Sequence, residues 1–252
     1  MLVRPAGDEN ILSDFSASYS YRGIMALIQK IVAGGPGRKT RLHTEEDQLI
    51  PLSELRHLPM AGGQWLFRKL VGTRPSEPWW PIPAIREVSA YMGSRECRVI
   101  EFGSGSSTAW LARRAACVHA IEDNESWFRE TSARLKALGF GNAEISCRTG
   151  ADYYDLSWID DPICDLAIID GSWRWKCIEA VLPHMTAGGL IYLDNSDADK
   201  DARHYPQDND KRKAQSVLAR IAESRPAARL YKVTGLISGE LHVGSGTFLQ
   251  LG

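Results

Sequence analysis

Val99-Ile100-Glu101-Phe102-Gly103-Ser104-Gly105-Ser106-Ser107-Thr108 is the stretch that decides the fold. Arg98–Phe102 is a short β-rich run and predicts a strand, while Ser107–Ala116 predicts a helix. Gly103 and Gly105 allow the backbone between them to turn tightly and approach a ligand closely. The helix start offers unpaired N–H groups and the positive end of a dipole. A dinucleotide site prefers a third glycine, for close helix packing beside a pyrophosphate. Here that position is Thr108. Glu101 stands just before the glycines, and a carboxylate there suits a cationic ligand better than a diphosphate.

Working outward, strand and helix patterns alternate. Ala84–Tyr91 reads as a helix ended by Gly93. Downstream come a strand at Val118–Ile121, a helix at Glu125–Leu138 and a strand at Glu144–Arg148. Ile163–Ile169 reads as a strand, Trp175–His184 as a helix, Thr186–Gly189 as a turn and Leu190–Leu193 as a strand. Asp210–Ser224 reads as a helix, with late strands at Arg229–Val233 and Thr247–Leu251. Such alternation means βαβ units and a mostly parallel sheet. Continuous apolar runs such as Leu166–Ile169 fit strands covered on both faces. The expected class is α/β, a Rossmann-like sheet of seven strands with helices on both faces.

Residues 1–83 read as a helical N-terminal extension ahead of a cofactor-binding domain at 84–252. Ile24, Leu27, Ile28 and Ile31 recur at helical spacing within Tyr21–Val32, and Gly34-Gly35-Pro36-Gly37 ends that helix. Leu49–Leu58 and Gln64–Val71 read as two short helices. Arg74–Pro83 holds Pro75, Pro78, Pro81 and Pro83, which exclude a regular helix or a central strand. It reads as a linker packing Trp79 and Trp80 on something, with the extension serving as a lid or homodimer element.

The chain has 252 residues, 44% of them hydrophobic, which fits one domain with a real core plus an extension. A net charge of −1 gives no basic footprint for long nucleic acid, so no nucleic-acid partner is expected. No apolar run reaches the roughly 18–20 residues of a spanning helix. The first ten residues lack the pattern of a signal peptide, so a cytoplasmic protein is expected. Cys97, Cys117, Cys147, Cys164 and Cys177 form no C-x-x-C pair. Their odd count and wide spacing argue against disulfides or a zinc site.

Acidic residues end the other strands. Glu122 follows the second strand, 17 residues after Gly105 (122 − 105). An acid there can accept hydrogen bonds from both hydroxyls of a ribose. Leu166-Ala167-Ile168-Ile169-Asp170-Gly171 and Leu190-Ile191-Tyr192-Leu193-Asp194-Asn195 end likewise. In open α/β sheets ligands bind beyond the C-terminal strand ends. Asp170, Asp194 and Asn195 are therefore expected to converge on the glycine loop.

Residues 84–252 resemble class I S-adenosylmethionine-dependent methyltransferases. The resemblance implies a sheet whose seventh strand is antiparallel. It implies that Glu101, Phe102, Gly103, Ser104, Gly105, Ser107 and Thr108 hold the amino-acid part of S-adenosyl-L-methionine. Glu122 would hold the ribose, Asp123 and Asn124 the adenosine, and Gly150-Ala151-Asp152 the adenine, with Asp170 and Gly171 completing the cofactor site. The strand-end pair looks like the small-molecule O-methyltransferases related to the catechol and caffeoyl-coenzyme A enzymes. There, an Asp after strand four and an Asp-Asn after strand five bind a divalent cation. That implies Mg²⁺ on Asp170, Asp194 and Asn195, lowering the pKa of a substrate hydroxyl. The sequence departs from that branch: its usual Lys, three residues past the strand-four Asp, is Trp173 here. The glycine phrase, with Trp127 shortly after Glu122, looks more like uncharacterised bacterial methyltransferases, some of which accompany glycan or secondary-metabolite genes.

The candidate catalytic residues are Asp170, Asp194, His204 as a base and Arg174 as an anion binder. Each has a plainer reading: Asp170 as a cofactor-side acid, Asp194-Asn195 as a loop cap, His204 as a solvated loop residue, and Arg174 as a surface residue at a helix start. Trp79, Trp80, Trp173 and Trp175 either line an acceptor pocket or pack the extension on the core. The expected function is O-methylation of a small-molecule or sugar hydroxyl. A nicotinamide-dependent oxidoreductase and a non-catalytic cofactor-binding partner subunit remain the alternatives.

Overall fold

The structure is a computed structural model that describes residues 33, 38–72, 76–159, 163–197 and 211–252. The expected helix at Tyr21–Val32, its glycine stop and His204 lie outside the described residues.

Seven strands form one sheet: β1 (Arg98–Phe102), β2 (Cys117–Glu122), β3 (Ala143–Cys147), β4 (Cys164–Ile169), β5 (Met185–Leu193), β6 (Arg229–Leu236) and β7 (Val243–Gln250). Their order is β3-β2-β1-β4-β5-β7-β6. The first five run parallel. β7 is antiparallel to both β5 and β6. The chain winds outward from β1 in one direction, then restarts at β4 beside it. That reversal opens a crevice at the C-terminal ends of β1 and β4.

Helices cover both faces: α1 (Leu58–Val71), α2 (Ile82–Gly93), α3 (Ser106–Ala112), α4 (Glu125–Ala137), α5 (Arg174–Val181) and α6 (Lys211–Ser224). Alternate strand residues feed two cores, as the two-residue period of a strand requires. Ile100, Phe102, Ala167, Ile169 and Ile191 pack against Ile178 of α5 and Leu218 of α6. Val99, Leu166, Ile168 and Tyr192 pack against Val88 of α2 and Leu111 of α3. Burying one such aliphatic side chain is worth about 1.5–3 kcal/mol. The two layers therefore fix where the strand ends lie.

Several boundaries differ from the sequence reading; the helix expected at Ser107–Ala116 ends at Ala112, and the late strands extend to Leu236 and start at Val243. β5 begins at Met185, so the expected turn at Thr186–Gly189 is strand, running through Gly188 at φ 70° with a register shift against β4. The two short helices expected at Leu49–Leu58 and Gln64–Val71 are instead a 3₁₀ turn at Leu52–His57 and one continuous α1. Gly62 and Gly63 sit inside α1, at a propensity cost of about 1 kcal/mol each.

The extension is tied to the β6–β7 hairpin. The Val243 N–H donates to the Arg41 carbonyl at 3.1 Å, and Lys232 pairs with Glu46 at 2.7 Å. Asp197, 2% exposed, accepts from the Glu45 and Ser245 N–H groups at 3.2 and 3.3 Å. All five cysteines are free thiols. Burial pushes Cys97 up to about 11 and Cys164 up to about 12, which keeps them protonated and inert. Among the described residues no helix is long and apolar enough to cross a membrane.

Candidate functional site

The glycine loop lies in the crevice between β1 and β4. The Gly103 N–H donates to the Ile121 carbonyl at 2.8 Å, and the Phe102 carbonyl accepts from Asp170 and Gly171 at 2.9 and 2.7 Å. These bonds bring the ends of β1, β2 and β4 together. Gly103 has φ 92°. A Cβ on it would come within 2.7 Å of the Gly171 nitrogen. A Cβ on Gly171 would come within 2.9 Å of the Gly103 nitrogen and overlap the Tyr153 hydroxyl. Only two glycines permit this contact. Thr108, fully buried, occupies the third-glycine position and accepts the Gly105 N–H on its hydroxyl at 3.0 Å. It closes the first turn of α3 as a side-chain cap, which a glycine could not do.

Two carboxylates back the loop. Glu122, 5% exposed, takes the Ser104 N–H at 2.7 Å and the Ser104 hydroxyl at 2.9 Å on one oxygen. Its other oxygen takes the Asn124 N–H at 2.9 Å. A carboxylate has about four acceptor positions, so one remains for a ligand. Glu101 is fully buried behind the loop, and neither oxygen has a hydrogen-bond partner of good geometry. Burial pushes its carboxyl up to about 8, while the nearby Ser107 and Thr108 hydroxyls temper that rise. Asn124 caps α4, its side chain accepting the Trp127 N–H at 3.1 Å. Asp123 is half-buried at the end of β2. Gly150, Ala151 and Asp152 are exposed in a 3₁₀ turn at Gly150–Tyr154 after β3, which also holds the buried Tyr153.

At the ends of β4 and β5, Arg174 takes the centre. Its side chain is 5% exposed. Nε donates to the Gly171 carbonyl at 2.9 Å, and Nη2 to the Asp170 carbonyl at 2.8 Å. Nη2 also faces Asp170 Oδ1 at 3.5 Å and Asn195 Oδ1 at 3.3 Å, while Nη1 donates to the Asp194 carbonyl. The residue before it, Trp173, caps α5 at φ 52°, a region bulky side chains rarely adopt, so the chain turns sharply into this arginine. Asp194 points inward: it is 2% exposed, and its Oδ1 accepts the Tyr192 hydroxyl at 2.5 Å. Burial, with Asp170 close by, pushes the Asp194 carboxyl well above the usual carboxylate range.

The loop faces a cavity of about 150 Å³, lined by Trp79, Ser104, Gly105, Ser107, Trp127 and Asp170. Trp80 lies fully buried beside it, its ring 6.1 Å from Trp110 and 5.0 Å from Tyr192. Its indole N–H donates to Asp170 Oδ2 at 3.0 Å. The extension therefore reaches the site through two adjacent tryptophans, one walling the cavity and one holding Asp170. Trp173 and Trp175 instead pack toward α5 and α6, enclosing Lys176 at 4.6 and 5.4 Å from their rings.

No protein-family model matches the sequence, and no curated protein matches it. Solved structures do match the fold. An O-methyltransferase of Bacillus cereus, solved with S-adenosylhomocysteine, superposes at TM-score 0.58 with 14% identity, over 79% of this chain and 97% of that one. TomG of Streptomyces achromogenes, an O-methyltransferase of tomaymycin synthesis solved with S-adenosylmethionine, gives 0.57 and 14%, over 79% and 95%. A putative O-methyltransferase of Klebsiella pneumoniae gives 0.57 and 13%, over 79% and 96%. The fold is that of the S-adenosylmethionine-dependent O-methyltransferases.

In this methyltransferase fold Glu101, Gly103, Ser104, Gly105, Glu122, Asp170 and Gly171 come together around one loop. The set expected for a divalent cation does not fit one. Asp194 turns its carboxylate into the interior, and Arg174 stands between Asp170 and Asn195. Among the described residues no group of three His, Cys, Asp or Glu side chains could hold a metal ion. The sequence reading missed Trp80 on Asp170, Tyr153 beneath Gly171 and the burial of Arg174. A buried tyrosine or arginine carries no local signal, whereas the Pro- and Trp-rich run did mark the tryptophans.

Proposed function

We propose that this chain is an S-adenosylmethionine-dependent methyltransferase acting on a hydroxyl of a small molecule or sugar. One observation carries the reading: Glu122 lies buried directly behind a two-glycine loop at the β1/β4 switch point, with a cavity in front of that loop. The solved neighbours with this fold, one with S-adenosylmethionine and one with S-adenosylhomocysteine, lend it support.

Bound there, the cofactor supplies an electrophilic methyl group. Gly103, Ser104 and Gly105 would bring backbone close to its amino-acid part, and Glu122 would take one ribose hydroxyl on its remaining acceptor position. Glu101 lies buried behind the loop with its carboxyl pushed up to about 8, and a cationic ligand bound in front of the loop would favour its charged form. Asp123 and Asn124 border the adenosine, and the Gly150–Asp152 turn the adenine. Asp170, the carboxylate lining the cavity, orients the acceptor hydroxyl and accepts its proton. Trp79 and Trp127 offer aromatic faces to a ring-shaped acceptor. Transfer then depends mainly on in-line positioning.

Thr108 speaks against the nicotinamide alternative, since its buried side chain caps Gly105 where a pyrophosphate site packs a glycine. Equilibrium dialysis against S-adenosylmethionine and reduced nicotinamide dinucleotide separates the two. The chain is expected to retain the first and not the second, and the opposite result would overturn the reading. Asp170→Asn is expected to lower kcat by about 10²-fold or more in a methyl-transfer assay while leaving the protein folded. Unchanged turnover in that variant would remove Asp170 from the mechanism and favour another base.

A further inference from the structure

We propose that the Arg174 guanidinium is the resident cation of this site, standing where metal-dependent relatives would hold a divalent ion, so that the protein binds no metal there. The inference rests on the methyltransferase reading for the place of that ion. It deepens that reading by removing a metal from the chemistry.

Arginine presents five N–H donors in a planar fork and stays charged at every relevant pH. Here they spread over both strand ends. Nε and Nη2 hold the Gly171 and Asp170 carbonyls at 2.9 and 2.8 Å at the end of β4, and Nη1 holds the Asp194 carbonyl at the end of β5. Nη2 also faces the Asp170 carboxylate and the Asn195 amide oxygen at 3.5 and 3.3 Å. Those two oxygens are two of the three ligands that the family resemblance implies for a cation. A hard divalent ion needs its oxygens at about 2.0–2.6 Å. It cannot enter a space where a guanidinium already lies within hydrogen-bond reach of both, because sterics and like charge oppose it together.

The third ligand is turned away as well. Asp194 Oδ1 is engaged by the Tyr192 hydroxyl at 2.5 Å, and the residue is 2% exposed. Tyr192 is itself fully buried against Trp80 and Phe248, so it cannot swing aside cheaply. The route by which Arg174 arrives is local. Trp173, at φ 52°, makes a left-handed turn after Ser172, and Arg174 starts α5 with its side chain directed back onto the carbonyls of residues 170 and 171. One fixed positive charge thus offsets Asp170 and locks the ends of β4 and β5 together.

The test is titration of Mn²⁺ into the full chain, followed by electron paramagnetic resonance, with S-adenosylhomocysteine added in a parallel sample. Free Mn²⁺ gives six sharp lines, which broaden when the ion is bound. The proposal expects the free spectrum throughout, with no saturable site below millimolar Mn²⁺. It also expects the same melting midpoint in Mg²⁺ and in chelator, where a tightly bound ion would raise it by several degrees. A stoichiometric Mn²⁺ site that Asp170→Asn removes would overturn it. S-adenosylhomocysteine binding is read separately: its loss contradicts the methyltransferase reading, while the Mn²⁺ spectrum decides the arginine.

Discussion

Glu101 and Tyr153 show how single side chains set the character of the loop. Glu101 is fully buried and its carboxyl is pushed up to about 8, against an ordinary 4.5 in an unfolded chain. Between those two values the folded protein keeps a proton that the unfolded chain has released. Stability should therefore be greatest below pH 4.5 as far as this group is concerned, decline as pH rises toward 8, and level off above it. Glu101→Gln should abolish that slope in urea unfolding measured at several pH values, and an unchanged slope would show the strain lies elsewhere. Tyr153 is fully buried with a hydroxyl that lacks a partner of good geometry, although the Ser172 backbone lies near it. Tyr153→Phe should be neutral or stabilising by about 1 kcal/mol, because the group it removes is buried without a full bond. Gly171→Ala should unfold at markedly lower denaturant, and adding Tyr153→Phe should recover part of that loss, since the same hydroxyl meets the new methyl group. Additive effects of the two changes would contradict the contact.

At the scale of elements, the site is assembled by strand ends and the caps that follow them. Asn124 ends the β2 turn with its N–H on Glu122 and its side chain on the Trp127 N–H. Asn124→Ala should cost about 1 kcal/mol of stability, measured by chemical unfolding, through the lost cap. Most elements were legible in the sequence because the code for them is local. Apolar runs such as Leu166–Ile169 gave β4, and Gly103-Ser104-Gly105 between a strand and a helix gave the turn. Legibility failed where tertiary packing outweighs local preference. Gly188 and Gly189 looked like a turn but lie in β5, whose far end pairs with both β4 and β7. Arg174 reads as an anion binder or else a surface residue at a helix start, yet the curl at Trp173 buries it between two strand ends. The glycine loop and the strand-end acids could be named in advance, because each closes a strand visible in the pattern. The direction in which Asp194 points could not, since it depends on Tyr192 and on the layer beneath.

For the molecule as a whole, the extension and the sheet are built into one another. Trp80 contributes to the core with Val88, Leu111 and Phe248 and reaches Asp170 across 90 positions of sequence. No spacing rule predicts such a contact. Trp80→Ala should lower stability by about 3–5 kcal/mol in denaturant unfolding, as expected for a large buried aromatic. A loss below 1 kcal/mol would mean that the extension merely rests on the sheet. The outer face of α1 carries Leu66, Phe67 and Leu70 at 51, 60 and 76% exposure, so apolar surface remains uncovered there. The cavity is walled by Trp79 from the extension together with the glycine loop and Asp170. Binding of the cofactor should therefore stabilise the whole chain rather than one part of it. The most direct measurement is calorimetric titration of S-adenosylhomocysteine into the full chain and into Glu122→Ala. One-to-one binding is expected for the first and binding at least about tenfold weaker for the second, a loss of roughly 1.4 kcal/mol. No binding by the full chain, or equal binding by both, would contradict that expectation.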